Sequence, residues 1–233
     1  MTYVMSDIHG DYSSFYNMLI KINFSPSDSL YILGDIVDKG PNNLRLIELV
    51  RSTPNIYLIK GNHEYLFERY LQGIVSASLW DACGGVRTRK EADALTEEEK
   101  DDILEYLEGL PLYQLIVVDG RDYFLTHSGY NADYGVYRPE TSLIDIKESV
   151  EQAVKANQER YLFSNDIHYI PASLEFDKRI IVGHCPTIYI PEHWSYSIFY
   201  GTRYCDIDTG NARRDEGGRL SCLRLDDGRE YYV

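Results

Sequence analysis

Apolar positions along the chain fall into two alternating rhythms. Short, near-continuous apolar runs at Tyr3–Met5, Ser29–Leu33 and Asn55–Ile59 read as strands buried on both faces. A loop follows each, and then a stretch with apolar residues at helical spacing: Ser13 to Ile22, Asn43 to Arg51 and His63 to about Leu71. Strand, loop and helix repeated in this order predict parallel pairing. Thr96-Glu97-Glu98-Glu99 has the form of a capping box opening a helix to about Gly109, with acids at the positive end of its dipole. Leu112–Val118 and Arg121–Thr126, joined at Asp119-Gly120, predict a hairpin, and a helix follows over Ser142 to Ala156. Strands return at Arg179–Val182, Tyr204–Ile207, Leu220–Leu225 and Glu230–Val233. No linker, low-complexity tract or repeat divides the pattern. It predicts one α/β domain over residues 1–233, with a second half rich in antiparallel strands.

Composition narrows the class. The chain has 233 residues, 44% hydrophobic and 26% charged, as in soluble globular proteins. No apolar run approaches the ~20 residues of a membrane span, so no membrane partner is expected. The start, Met1-Thr2-Tyr3-Val4-Met5, lacks a charged n-region and runs into the first motif, so no signal peptide is expected. Cys83, Cys185, Cys205 and Cys222 form no CxxC pair and read as reduced thiols, which favours a cytoplasmic location. The net charge is −14, and the nearest basic groupings are Arg87-Arg89-Lys90 and Arg213-Arg214. A polynucleotide partner is not expected from this balance, whereas a small nucleotide is compatible with it.

The chemistry lies in short motifs that follow the apolar runs: Ser6-Asp7-Ile8-His9-Gly10, Gly34-Asp35-Ile36-Val37-Asp38-Lys39-Gly40 and Gly61-Asn62-His63-Glu64, then His127 and His184. Asp7 and His9, two apart on an extended segment, point the same way and can serve one ion. Asp35 has two carboxylate oxygens and can bridge two cations, and Asn62 adds a neutral carbonyl oxygen. His127 and His184 each follow a strand. The six donors suffice for two divalent metals, which polarise a phosphoryl group and activate water. The set therefore points to a metal-dependent phosphoesterase. Carboxylate, amide and imidazole without thiolate suit Mn²⁺ first, then Fe or Zn²⁺. His63, beside Asn62, is placed for general-acid work, and Asp38 is the candidate carboxylate on its other nitrogen.

At these residues the chain resembles the phosphoprotein phosphatases of the calcineurin-like metallophosphoesterase superfamily, in particular the lambda phosphatase-like bacterial and phage Ser/Thr enzymes. The resemblance extends to Trp80-Asp81-Ala82-Cys83-Gly84-Gly85 with Thr88, to His184-Cys185-Pro186-Thr187 and to Asp206-Ile207-Asp208-Thr209-Gly210. It implies a two-sheet β-sandwich flanked by helices. It also implies that Asp7 and His9 hold one metal, Asp35 bridges, and Asn62, His127 and His184 hold the other. His63 becomes the general acid paired with Asp38, and a metal-bound hydroxide displaces the alcohol directly.

Three positions depart from that family. Lys39 and Lys60 stand where arginines are usual, and Asn165 stands where a third is expected. Lysine keeps the charge but lacks the bidentate fork, so Lys39 and Lys60 are expected to bind phosphate as point charges, with Arg160 or Arg203 as compensators. The first reading is a phosphoserine/phosphothreonine protein phosphatase. The alternatives are a diadenosine polyphosphate hydrolase and a metal-retaining phosphate-binding protein without turnover. Tyr130, Tyr134 and Tyr137, just after His127, are candidates for stacking a base. The insert between Trp80 and Leu110 is expected to roof or flank the cleft.

Overall fold

In a computed structural model, which describes every residue except 172, the chain forms two five-stranded sheets packed face to face with helices outside. In order the elements are β1 (Thr2–Met5), α1 (Tyr12–Lys21), β2 (Ser29–Ile32), α2 (Asn43–Ser52), β3 (Ile56–Leu58) and α3 (Asn62–Leu71). The segment that follows supplies α4 (Ala77–Ala82), α5 (Val86–Asp93) and α6 (Glu97–Glu108). Then come β4 (Tyr113–Val118), β5 (Arg121–Thr126), α7 (Ile146–Leu162), β6 (Arg179–Val182), β7 (Phe199–Tyr200), β8 (Tyr204–Asp206), β9 (Ser221–Arg224) and β10 (Glu230–Tyr232). The first sheet runs β10-β9-β1-β2-β3 and the second β4-β5-β6-β8-β7.

Side-chain alternation explains the layers. In β1, Tyr3 and Met5 face the helices while Val4 faces the other sheet. Leu30 and Ile32 of β2 do the former and the adjoining Leu33 the latter. Across the gap, Leu125 of β5 and Ile181 of β6 meet them, while Phe124, Ile180 and Val182 turn to the cluster that contains Val150 and Ala153 of α7. Each such buried side chain contributes about 1.5–3 kcal/mol. Strands covered on both faces read as unbroken apolar runs, which is why the sequence pattern finds them.

The second half is rich in antiparallel pairs, as expected (β4 with β5, β7 with β8, β9 with β10 and with β1), and within it β5, β6 and β8 are mutually parallel, because α7 and the chain around residues 183–203 return each strand in the same sense. One expectation is corrected. The helix predicted over Ser142 to Ala156 starts later, at Ile146, where the Asp145 carboxylate accepts the Glu148 amide at 3.1 Å. Ser142 itself has φ +62°, outside the helical region. The same helix runs on to Leu162 through a break at Asn157. No helix among the described residues is long and apolar enough to cross a membrane.

Candidate metal centre

Every predicted donor lies just past the carboxyl end of a parallel strand: Asp7 and His9 after β1, Asp35 after β2, Asn62 after β3, His127 after β5 and His184 after β6. Parallel strands end at one edge of an open α/β sheet, and that edge collects ligands. The turns that aim the donors are tight. Asp7, His9, Asp35, Asp38, Lys39 and His184 all have φ between 51° and 75°, a left-handed conformation costly for residues other than glycine. Two glycines make the approach possible. A Cβ on Gly183 would strike Ser6 Oγ and Asp7 Oδ2, and one on Gly61 would strike the Asp35 carboxylate.

Glu64 locks two of these loops together. Its buried carboxylate accepts the amides of Asp35 (2.7 Å), Ile36 (2.9 Å) and Gly61 (2.9 Å). Burial and the nearby Asp35 charge push its carboxyl up to about 6. The motif Gly61-Asn62-His63-Glu64 contained this residue, but nothing in the sequence said which distant amides it would serve.

Donor geometry fits cations. His9 Nδ1 lies 3.1 Å from the Val37 carbonyl and His127 Nδ1 lies 2.7 Å from the Leu33 carbonyl. A carbonyl only accepts, so both imidazoles carry their proton there and turn the Nε2 lone pair inward. His127 Nε2, His184 Nδ1 and Asn62 Oδ1 converge at 2.8–3.1 Å from one another. Three inward-facing acceptors repel one another unless a cation sits among them. Asp7 Oδ2 accepts from Ser6 Oγ and from the His184 amide at 2.9 Å, while the buried Asp7 Oδ1 has no hydrogen-bond partner. Asp35 belongs to both metal-sized clusters, His9–Asp35–His63 and Asp35–His127–His184.

Electrostatics agree with this fit. Burial, then the Asp35 charge, pushes the Asp7 carboxyl up to about 7. Burial would raise Asp35 as well, but His127, His63, His9 and Lys39 surround it and hold it well below the usual carboxylate range. Burial, with the neighbouring Lys39 and His63 charges, holds His9 well below its ordinary value. Burial and His127 bring His184 down to about 3. Neutral imidazoles beside carboxylates are metal-ready ligands.

His63 is set apart from these donors. Its Nδ1 is 2.7 Å from Asp38 Oδ2, and Nε2 lies 3.8 Å from Asp35 Oδ2. Burial disfavours its charge, yet Asp35 and the Asp38 hydrogen bond outweigh that and raise it above its ordinary value. Asp38 is fully buried and fixed from its far side. Trp80 Nε1 donates to Oδ2 at 2.8 Å and Thr88 Oγ1 donates to Oδ1. The segment from Trp80 therefore flanks the site as expected and also orients the His63–Asp38 pair. Glu91 of α5 further accepts the Asn43 and Leu44 amides at the start of α2. The sequence motifs included Trp80 and Thr88 without giving either a task.

The cationic replacements divide. Lys39 Nζ is 2.9 Å from His9 Nε2 and lines a cleft of about 220 Å³ together with Arg214. Arg214 donates to Asn211 Oδ1 at 2.8 Å, and Asn211 Nδ2 donates to the Ile8 carbonyl at 2.8 Å, which ties the arginine to the first motif loop. The sequence marked Arg213-Arg214 only as a basic grouping, and the place of Arg214 in the cleft beside His9 is visible only in three dimensions. Lys60 is buried against Glu68 at 2.6 Å, so its charge is already neutralised within the fold. Asn165 precedes a short 3₁₀ turn, Arg160 pairs with Asp133 on the surface, and Arg203 donates to the Ile170 carbonyl. Of the tyrosines after His127, Tyr130 is buried beside Phe176 and Tyr137 is exposed.

The Calcineurin-like phosphoesterase profile matches residues 2–211. The symmetrical bis(5'-nucleosyl)-tetraphosphatase of Aggregatibacter actinomycetemcomitans is 28% identical over 167 residues, 70% of this chain and 55% of that protein. The protein of the same name from Erwinia tasmaniensis is 28% identical over 138 residues, 58% of this chain and 46% of its own. The chain thus spans about half the length of the curated relatives it matches. A solved structure provisionally described as a diadenosine tetraphosphatase superposes with a TM-score of 0.61 at 18% identity, covering 100% of this chain and 92% of that one. A metallophosphoesterase from Sphaerobacter thermophilus gives 0.53 at 19%, covering 100% and 87%. These two share the fold. Taken with a profile that runs from β1 past β8, the likeness makes this chain a member of the calcineurin-like phosphoesterases, enzymes that hydrolyse phosphoester bonds on a binuclear metal centre.

Proposed function

We propose that the protein hydrolyses the polyphosphate bridge of a bis(5'-nucleosyl) tetraphosphate. The observation that carries this reading is the cleft beside His9, where Lys39 and Arg214 place cationic side chains alongside the metal donors; Asp11, 3.8 Å from Arg214, and Asp215 also line it, so Lys39 is the cation there without an ion pair among the described residues. A phosphomonoester places one phosphate at the metals, whereas a bridge of four needs charge beyond the scissile group. The relatives named as symmetrical tetraphosphatases support the same substrate class. The phosphoserine/phosphothreonine reading loses ground, since Lys60 is neutralised by Glu68 and Asn165 carries no charge.

The residues divide the work. Asp7, His9 and Asp35 would hold one divalent cation, and Asp35, Asn62, His127 and His184 the other, with Mn²⁺ the metal this donor set suits first. When bound, two such ions polarise the scissile phosphoryl group and activate water. Lys39 and Arg214 hold the flanking phosphates in line. His63 Nε2 gives its proton to the departing diphosphate oxygen as the P–O bond breaks and the oxygen of water bonds to phosphorus. Asp38 keeps Nδ1–H in place and supports the charged imidazole, and Trp80 and Thr88 keep Asp38 in place.

The test is hydrolysis by Mn²⁺-loaded protein of diadenosine tetraphosphate and a phosphothreonine peptide side by side. The dinucleotide is expected to react faster and to yield a nucleoside diphosphate. Preferential release of phosphate from the peptide would overturn the proposal.

A further inference from the structure

The sandwich has a second charged end. β5 and β6, whose carboxyl ends lead to His127 and His184, begin at Arg121 and Arg179. At this remote end the gap between the sheets opens into a cavity of about 410 Å³. Its floor is continuous with the inter-sheet core through Ile181, Leu223 and Leu225. Its walls include Tyr123 and the exposed Tyr200. Four arginines line it (Arg121, Arg179, Arg203 and Arg224), against one carboxylate, Asp227.

Counter-charges do not account for this cluster. Asp227 is taken by Arg224, at 2.8 Å from Nε. Arg203 is held through Nη1 by the Ile170 carbonyl at 2.7 Å and by the Pro171 carbonyl, while its buried Nε has no partner among the described residues. Among the described residues, Arg121 and Arg179 form no ion pair and no side-chain hydrogen bond. An adjoining cleft shares Arg179 and Arg203 and contains Asp122, Glu175 and Asp177, of which Asp177 is paired with Arg138 and Lys178. In a chain of net charge −14, a cavity mouth where Arg121 and Arg179 have no ion pair among the described residues concentrates positive potential at one place, with Asp122 and Glu175 of the adjoining cleft the nearby acids that have no ion pair.

We propose that this cavity is a binding site for a mononucleotide, distinct from the metal centre. Guanidinium forks match phosphate oxygens in pairs, so Arg121 and Arg179, whose forks are free among the described residues, take the phosphates. The apolar gap with its tyrosines takes the base, and the volume is within the range of small-ligand sites. The inference does not depend on which phosphate compound the metal centre hydrolyses.

The experiment titrates the Mn²⁺-loaded full chain with ADP, tripolyphosphate and adenosine, and follows amide hydrogen exchange. ADP is expected to protect the amides of Arg121–Tyr123 and Gly201–Cys205. Arg121→Ala and Arg179→Ala remove exposed side chains without internal partners, so both variants should fold. Each is expected to weaken this ADP site about tenfold while p-nitrophenyl phosphate hydrolysis without nucleotide stays unchanged. Unaltered ADP affinity in both variants, or no protection at these segments, would refute the site. Tripolyphosphate binding as tightly as ADP would overturn the nucleotide assignment.

Discussion

The two sheets contribute to the proposed metal centre in different ways. The first sheet supplies the candidate groups Asp7, His9, Asp35, Asn62 and the His63–Asp38 pair from three consecutive strand ends. Its loops are strained and bound to one another, with the Asp7 amide on the Gly34 carbonyl at 3.2 Å and the His9 amide on the Asp35 carbonyl at 2.9 Å. The second sheet supplies only His127 and His184, about sixty residues apart in sequence and brought together because β5 and β6 pair in parallel. One side comes from three strands consecutive in the chain, each carrying a short motif; the other comes from two strands separated by α7. Both sides depend on parallel pairing, and Asn62 of the first meets His127 and His184 of the second.

The most severe way to break the comparison is to remove what both sides share. Asp35→Asn should lower turnover by ~10³-fold or more and reduce metal content, read by elemental analysis of the purified protein. Normal metal content with normal activity would mean that Asp35 does not bridge. His63→Asn acts on the first sheet's acid alone. It should cost ~10²–10⁴ in kcat with both metals retained. The loss should be larger for an alkyl phosphate than for the dinucleotide, because a diphosphate leaves at neutral pH with less help than an alkoxide. Equal losses on both substrates would remove the proton-donor role.

His184→Ala tests the second side. It should weaken the cation held with His127 and Asn62 more than the one held by Asp7 and His9, giving stepwise metal titration where the parent protein fills both. The smallest effect expected concerns stability. His168, between Tyr204 Oη at 2.8 Å and Asp206 Oδ2 at 3.5 Å, is lowered by burial to about 4 from 6.5. Below pH 6.5 the unfolded chain binds a proton there that the folded chain refuses until about pH 4. Stability should therefore fall as pH drops through that window, by up to ~1.4 kcal/mol per unit from this group. Urea unfolding of His168→Gln should show a flatter pH profile; an unchanged slope would assign the acid sensitivity elsewhere.

Much of the first sheet's share was legible in the sequence. The strands are doubly buried and so unbroken in hydrophobicity, and the donors follow them within a few residues. The second sheet was less so. β7 has two residues and leaves no periodic trace, and parallel pairing of β5, β6 and β8 depends on the path of the connections. α4 and α5 were missed because they are six and eight residues long and begin without a full capping signature. The six candidate donors could be named from residue type and order, and the fold brings them to one edge of the sheets. Glu64, Trp80 and Thr88 could not be given tasks, since the partners that join separate loops (Ile36, and Asp38 for both Trp80 and Thr88) are 28 to 50 residues away and of ordinary type. Lys60 shows the limit from the other direction: its position in the motif pointed to phosphate, but Glu68, eight residues on and two turns along α3, neutralises it.

The Trp80 contact also gives the protein a built-in optical reporter. The chain has two tryptophans, and Trp194 is 69% exposed while Trp80 is fully buried against Phe67 and Tyr70. A water-soluble quencher such as iodide should silence Trp194 and leave the emission of Trp80. Its indole N–H rests on the carboxylate that holds His63, so any event that changes the charge of that pair perturbs the excited state of one known ring. If the proposed proton role of His63 holds, a change in the charge of the His63–Asp38 pair should shift Trp80 emission in the unlabelled protein, without a chromogenic substrate.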